Sequence, residues 1–358
     1  MPLDRCTNQR KNMRWLKAEF NHENTVFCVI NDGMSLFTAT DELTVIYLNK
    51  QQLAPLNVDS CIFLGKESLV NEDTVKEGLD KEGLAKGQTP SQPLSSEELP
   101  ASDSSKNQRA IFAVDFNKLR FSSQEALTEM GEWQSLRQAT ASISAIDASI
   151  LALAKGLVHW HTSHQYCGQC GNINRSVEAG HARKCTACRN LTFPRTDPAV
   201  IMLVEKMFSD GTPRCLLGRQ ENWPQGMYST LAGFVDPGES LEQAVIREVL
   251  EESAIVVQNP HYIASQPWPF PASIMLGFTA VATSEHIDVS QDSLEDARWF
   301  SREQLATFAK NSKPLILTES LTTLDNENLT EAEFKMSSSD SISSYLINAW
   351  LNKEVGEY

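Results

Sequence analysis

The sequence predicts a mixed α/β fold, of α+β or α/β class. A sandwich of helices on a sheet follows an N-terminal mixed α/β domain and a small cysteine-rich unit. Three observations carry this prediction. Apolar runs at 199–205, 215–218 and 274–282 alternate with one strongly charged helical stretch at 241–252, the order expected of helices laid on a sheet. Two C-x-x-C pairs precede them, between residues 167 and 188. Upstream of the cysteines, short strand-like runs are separated by turn signals.

The 358 residues suffice for two or three compact units, and a 41% hydrophobic content can bury a core. Four segments are expected: an N-terminal domain over 1–160, the cysteine unit over 161–193, the sandwich over 194–325, and a Ser-rich loop with a final helix over 326–358. Within the first segment, 25–30, 43–48 and 110–116 are strand-like. The polar stretch near 66–108 reads as a solvated, disordered insertion. From 133 to 160 the period changes, and Ile143, Ile146, Ile150, Leu153 and Leu157 share one face of a predicted core helix. The tail's Ser-rich 337–344 runs into an amphipathic helix near Ile342–Leu351.

The formal net charge of −15 argues against broad, non-specific binding to nucleic-acid backbones. It leaves room for a small anionic substrate held through metal ions. No run of about 18 apolar residues is present to span a membrane. The N-terminus lacks an apolar signal core, and the final Gly356-Glu357-Tyr358 does not match S-K-L. The expected location is cytoplasmic, with nucleus or peroxisome as alternatives, and no membrane partner is expected.

Four of the eight cysteines form the pairs Cys167/Cys170 and Cys185/Cys188, separated by 14 residues. Each pair turns two thiolates toward one point, so two pairs build the tetrahedral sulfur shell that suits Zn²⁺. With all four positions taken by sulfur, no place is left for a reacting water, and the zinc is expected to be structural. His164 and His181 lie near in sequence and are read as surface or neighbouring groups, not ligands. Cys6, Cys28, Cys61 and Cys215 read as ordinary core thiols.

On the charged helix, Glu248 and Glu252 stand at i and i+4, with Glu251 beside them. Three carboxylates on one turn repel each other unless cations compensate, and Mg²⁺ or Mn²⁺ accepts such oxygen ligands. The commoner meaning of an acidic helix is only a solvated face. The ordered spacing changes the reading. Gly233, Glu239, Arg247, Glu248, Val249, Glu251, Glu252 and Ile255 fit the pattern G-x5-E-x7-R-E-U-x-E-E-x-G-U, with Ala254 in place of the late glycine. This resembles the box of the Nudix hydrolases. The Ala254 departure is read as mild, on the expectation that the backbone there stays near helical values.

A second motif narrows the resemblance. Ser265-Gln266-Pro267-Trp268-Pro269-Phe270-Pro271-Ala272-Ser273 looks like the S-Q-P-W-P-F-P-x-S signature of the NADH diphosphatase subfamily. Three prolines and two aromatics should make it a stiff, non-helical loop. Phe193-Pro194-Arg195 and Trp160-His161 also resemble that subfamily, which carries a zinc ribbon ahead of a Nudix α/β/α sandwich.

The resemblance implies hydrolysis of the diphosphate of NAD(H)-type dinucleotides to NMN(H) and AMP with divalent Mg²⁺ or Mn²⁺. Catalytic roles fall on Glu248, Glu251 and Glu252, with the Ala232 carbonyl completing the metal shell. Glu239 and Arg247 brace the loop–helix turn. Phe234, Phe193, Gln266, Trp268, Phe270 and Ser273 are the implied substrate contacts, and Phe193 implies a homodimer. The subfamily's further metal-binding Glu is replaced by Ser293, leaving Asp296 (or Asp292 or Glu295) as the substitute. Two alternatives remain open: removal of NAD caps from RNA 5′ ends, and a catalytically weakened nucleotide- or partner-binding module.

Overall fold

The computed structural model describes residues 3–40, 42–68, 108–290, 294–311 and 334–358. The chain divides into two compact units, Met1–Pro194 and Arg195–Tyr358. Most of the expected insertion near 66–108, together with Asp292 and Ser293, lies outside the described residues.

The first unit is built on a six-stranded sheet. In chain order it comprises β1 (Leu3–Asp4), α1 (Met13–Phe20), β2 (Val26–Asn31), β3 (Met34–Phe37), β4 (Cys61–Ser68), β5 (Gln108–Asp115), α2 (Phe121–Met130), β6 (Glu132–Ser135), α3 (Leu136–Ala139) and α4 (Ala145–Ser163). The strands lie in the order β1-β4-β5-β2-β3-β6. Alternation puts Phe27, Phe63 and Phe112 on one face, where they meet Phe20 of α1 in a core of ring contacts. The run at 43–48 does not form a regular strand; it touches the sheet only through the bridges Phe37↔Val45 and Phe27↔Leu48.

The face of α4 also differs from expectation. Ile150, Leu151, Ala154, Leu157, Val158 and His161 are buried, whereas Ile146 is 45% exposed and Ile143 precedes the helix. The actual stripe includes the positions next to Ile150 and Leu157, which a count of large aliphatics alone leaves out. Three short strands then form the cysteine unit: β7 (Asn174–Val177), β8 (Ala182–Cys185) and β9 (Leu191–Thr192), paired in that order.

The second unit has β10 (Asp197–Met207), β11 (Pro213–Gln220), β12 (Met227–Tyr228), β13 (Leu231–Phe234), α5 (Leu241–Ser253), β14 (Val257–Trp268), β15 (Ser273–Ala282), β16 (Leu294–Ser301), α6 (Arg302–Asn311), β17 (Lys335–Met336) and α7 (Ile342–Leu351). Its main sheet runs β14-β15-β10-β11-β16, with β13 also paired to β10. β10 shows why helices cover both faces. Val200, Met202 and Val204 meet Ala244, Val245 and Val249 of α5, while Ile201 and Leu203 meet Leu346, Ile347 and Trp350 of α7 and Phe308 of α6. Each such large apolar side chain buried contributes about 1.5–3 kcal/mol. The expected α/β/α sandwich is therefore present, and the tail is part of it. The expected tail helix has the bounds predicted for it.

α5 begins with a capping box in which Ser240 accepts from the Gln243 N–H and Gln243 accepts from the Ser240 N–H. Its other end corrects an expectation. Ala254 is not near-helical but left-handed, at φ 58° and ψ 15°. This is the conformation in which helices end on glycine, and an alanine there is strained by about 1–2 kcal/mol. Ala254→Gly is therefore expected to stabilise the protein by about 1 kcal/mol, read as a higher denaturant midpoint at constant slope. A lower midpoint would refute this account of the helix end.

Candidate active site and metal centre

The loop from β13 into α5 is organised by one guanidinium. Arg247 donates from Nε to Glu239 Oε1 at 2.7 Å and from Nη2 to Glu239 Oε2 at 2.9 Å. Its Nη2 also reaches the Phe234 carbonyl at 2.8 Å. Nη1 reaches Glu248 Oε1 at 2.9 Å and Glu251 Oε2 at 2.8 Å. Glu239 closes the loop by accepting from the Asp236 N–H at 2.9 Å. The Arg247 hydrogen bonds, followed by the Asp236 N–H, hold the Glu239 carboxyl down to about 2. In turn Glu239, then Glu251 and Glu248, raise the Arg247 pKa further. The bracing expected of Glu239 and Arg247 is thus realised in atoms, and Arg247 additionally fixes two of the three helix carboxylates.

Gly233 explains how Glu248 comes so close to β13. A Cβ at Gly233 would lie 1.9 Å from the Glu248 carboxyl carbon, so no side chain can stand there. β13 pairs with β10 in the register Ile201↔Ala232 and Val200↔Gly233, which puts Ala232 next to that contact. Glu252 is 6% exposed, whereas the Glu251 side chain is 54% exposed. Counting Glu239, three carboxylates share the single Arg247, and Glu252 lies buried one helical turn on from Glu248. The donor set is all oxygen, crowded and partly buried, which fits a hard divalent cation. Glu248, Glu251, Glu252 and the Ala232 carbonyl would be the groups to hold it.

Asp296 does not join this set. On β16, Ala297 and Trp299 pack toward the α5 face, and Phe300 packs toward the α6/α7 face. Asp296 follows Phe300: it accepts from the Tyr228 hydroxyl, which belongs to the α6/α7 core, and pairs with Arg298 at 2.5 Å. Strand alternation thus turns its carboxylate away from the α5 face. Of its alternatives, Glu295 pairs with Arg219 at 2.7 Å, and Asp292 is outside the described residues.

The aromatic motif is a hairpin end more than a free loop. Residues through Trp268 continue β14, with Gln266↔Met275 and Trp268↔Ser273 in register with β15. Trp268 and Phe270 pack edge-to-face at 5.1 Å and are half-buried, and Ser273 is buried. Gln266 has a structural use that its sequence context did not reveal. Its Nε2 donates to Asp340 O at 2.7 Å, and its Oε1 accepts from Ile342 N at 2.8 Å, tying β14 to the start of α7. Ser343 adds a second tie, to Ser229 Oγ at 2.8 Å and Thr230 N at 3.1 Å. Phe234 is 59% exposed in this unit, and Phe193 is 58% exposed at the end of the first unit.

In the first unit the four cysteine sulfurs lie within 4.8 Å of one another, with Cys167–Cys188 at 3.6 Å and Cys170–Cys185 at 3.4 Å. Tetrahedral Zn–S bonds of about 2.3 Å require sulfur separations near about 3.8 Å, so the arrangement suits zinc. Among the described residues this is the one cluster of such ligands that converges. The Asn172 N–H, with the Asn172 side chain, holds the Cys170 thiol down to about 6. His181 and His161 are committed elsewhere: His181 Nε2 meets Phe63 O at 2.7 Å, and His161 Nε2 meets Gly180 O at 2.7 Å. Burial lowers both to about 4. Arg183, also buried, bonds His161 and the Asn174 carbonyl.

Three segments of the chain match models of known families. Residues 196–318 match the NUDIX domain, 25–160 the NADH pyrophosphatase-like rudimentary NUDIX domain, and 162–193 the NADH pyrophosphatase zinc ribbon domain. A NUDIX domain implies use of a divalent cation, and the ribbon a structural zinc. The chain is 35% identical over 331 residues to the NAD-capped RNA hydrolase NUDT12 of Macaca fascicularis, covering 85% of this chain and 65% of that one. It is 41% identical over 221 residues to the mitochondrial NAD(P)H pyrophosphatase NUDT13 of Homo sapiens, covering 59% and 61%. To the NAD-capped RNA hydrolase NudC of Stutzerimonas stutzeri (strain A1501) it is 40% identical over 173 residues, covering 48% and 61%. The chain thus spans less than two thirds of each of these relatives' length.

Proposed function

The protein belongs to the NADH pyrophosphatase branch of the Nudix hydrolases, and from that premise we propose that it hydrolyses the diphosphate of NAD(H)-type dinucleotides to NMN(H) and AMP. One observation carries this reading: Glu248 packed onto Gly233 beside buried Glu252, with Arg247 holding Glu248 and Glu251 at the loop–helix turn. Glu248, Glu252, Glu251 and the Ala232 carbonyl are the proposed holders of Mg²⁺ or Mn²⁺. When bound, such an ion lowers the pKa of water and neutralises charge on phosphorus. Glu251, the most exposed of the three, suits the role of orienting the attacking water. Exposed Phe234 suits stacking on a nucleobase or nicotinamide ring. Trp268, Phe270 and Ser273 hold the hairpin end that the resemblance assigns to substrate; Gln266 acts there by anchoring the hairpin to α7. Asp296 has no part in the proposed cation site.

A second substrate, the NAD cap of RNA 5′ ends, is favoured by the NAD-capped RNA hydrolases among the relatives, and the bond broken is the same. The reading also includes a homodimer, with exposed Phe193 offered to a partner's site, and a cytoplasmic location. The experiment is a substrate panel. NADH, NAD⁺ and NAD-capped RNA are each incubated with Mg²⁺ and with Mn²⁺, and AMP, NMN(H) or 5′-monophosphate RNA is resolved by chromatography. AMP from NADH is expected with either cation and is abolished by chelation. Absence of AMP with both cations would leave the weakened binding module as the reading.

A further inference from the structure

We propose that the outer face of the zinc ribbon is a docking surface for the single-stranded RNA that follows a 5′ nucleotide cap. The inference rests on the capped-RNA reading above. Its starting point is charge. Outside the thiolates, residues 162–193 carry Arg175, Arg183, Lys184 and Arg189 against the single Glu178, in a chain whose formal charge is −15. Arg183 is buried and spent inside the unit. Arg175 and Arg189 are exposed and Lys184 is half-buried.

The register concentrates these charges. Arg175 pairs with Lys184 across β7 and β8, and Lys184 with Leu191 across β8 and β9, so the three side chains share one face of the small sheet. Like charges directly opposite each other destabilise an antiparallel pair. Among the described residues no carboxylate lies within ion-pair distance of Arg175, Lys184 or Arg189. Part of this positive charge offsets the net −2 of a four-thiolate zinc site, and an anionic partner would offset the remainder.

Two further features indicate the kind of anion. Tyr166 and Ile173 are bridged to one another and are 67% and 55% exposed, with Leu191 at 43%. Flat and apolar groups interleaved with cations are what single strands use, because each base offers a face to stack while each phosphate offers a charge. An acidic peptide would satisfy the charges but not the exposed ring. Arg189 adds a backbone observation. It stands four residues after Cys185, as Gly171 stands four after Cys167, and both are left-handed, at φ 65° and 72°. An arginine where the twin knuckle has glycine keeps a cation at a conformational cost.

The test uses the full chain with its zinc. The variants are Arg175→Glu/Lys184→Glu, the charge-preserving Arg175→Lys/Lys184→Arg, and Tyr166→Ala. Each is assayed on NADH and on an NAD-capped RNA of about 12 nucleotides, and by fluorescence anisotropy with an uncapped RNA of the same sequence. Charge reversal should leave kcat/KM for NADH within about 2-fold. It should weaken uncapped RNA and raise KM for capped RNA by about 10-fold or more, and lower the slope of log Kd against log salt by about 1.4, some 0.7 per phosphate contact. Charge-preserving exchange should retain binding. Tyr166→Ala should weaken binding with the slope unchanged. Unchanged RNA binding with normal zinc content overturns the proposal. So does parallel loss on NADH, or a shift in sedimentation mass, which would make the face a contact between two copies. If wild type binds uncapped RNA but does not cleave the cap, the capped-RNA reading fails while the docking face stands.

Discussion

Glu252→Gln is expected to lower kcat for NADH hydrolysis by about 10³-fold, roughly 4 kcal/mol of transition-state stabilisation, while the protein stays folded. The argument is electrostatic. α5 and its loop gather Glu239, Glu248 and Glu251 around one guanidinium and bury Glu252 one helical turn on from Glu248. In a purely structural site, removing one of several mutually repelling carboxylates costs little or relieves strain. In a cation site the same change removes a charged oxygen ligand and leaves a neutral amide oxygen. Activity and stability should therefore move apart: turnover falls while the thermal midpoint without added metal holds or rises. The affinity for Mn²⁺, read by paramagnetic relaxation of water, should fall as well. Unchanged turnover in purified Glu252→Gln would remove the assignment. A parallel loss of stability and turnover would make Glu252 a core residue instead.

Much of this site was legible because it is local. The box residues sit on one loop and one helix, where fixed helical spacing converts sequence separation into position. The same holds for the cysteine pairs, whose knuckles are built within a few residues. What was not legible depends on which way a strand faces or which element returns to it. Asp296 looked like a substitute ligand by sequence neighbourhood, yet alternation along β16 turns it to Tyr228 and Arg298. Gln266 has, besides the substrate contact the resemblance implies, a tie the sequence does not show: its amide meets backbone more than 70 residues away, at Asp340 and Ile342. Ala254 resisted for another reason: its left-handed conformation is set by the chain leaving α5 for β14, and the residue type alone argues against it. For α4, the large aliphatics trace only part of the stripe, and Ala154 and His161 complete the buried face.

Removing the zinc is expected to unfold the ribbon, and the reason lies in what that segment lacks. Between 162 and 193 the buried apolar residues are only Cys167, Ala179, Ala182 and Cys185. Two alanines cannot offset the conformational entropy of ordering some thirty residues, which costs about 1–2 kcal/mol each for the backbone. A four-thiolate zinc supplies about 10–16 kcal/mol in small metal-folded units, and here it adds to the ties that His181, His161 and Arg183 make within the first unit. Cys185→Ser, or treatment with a strong chelator, should take bound zinc from one per chain to none. Amides of β7, β8 and β9 should then exchange with solvent at rates near those of unprotected chain, and protease should cut between the two cysteine pairs. Because His181 bonds the Phe63 carbonyl, the β4 amides next to Phe63 should lose part of their protection too. Ribbon amides that remain protected after complete zinc removal would mean that the histidine and arginine ties suffice alone, and that the metal has a role other than folding.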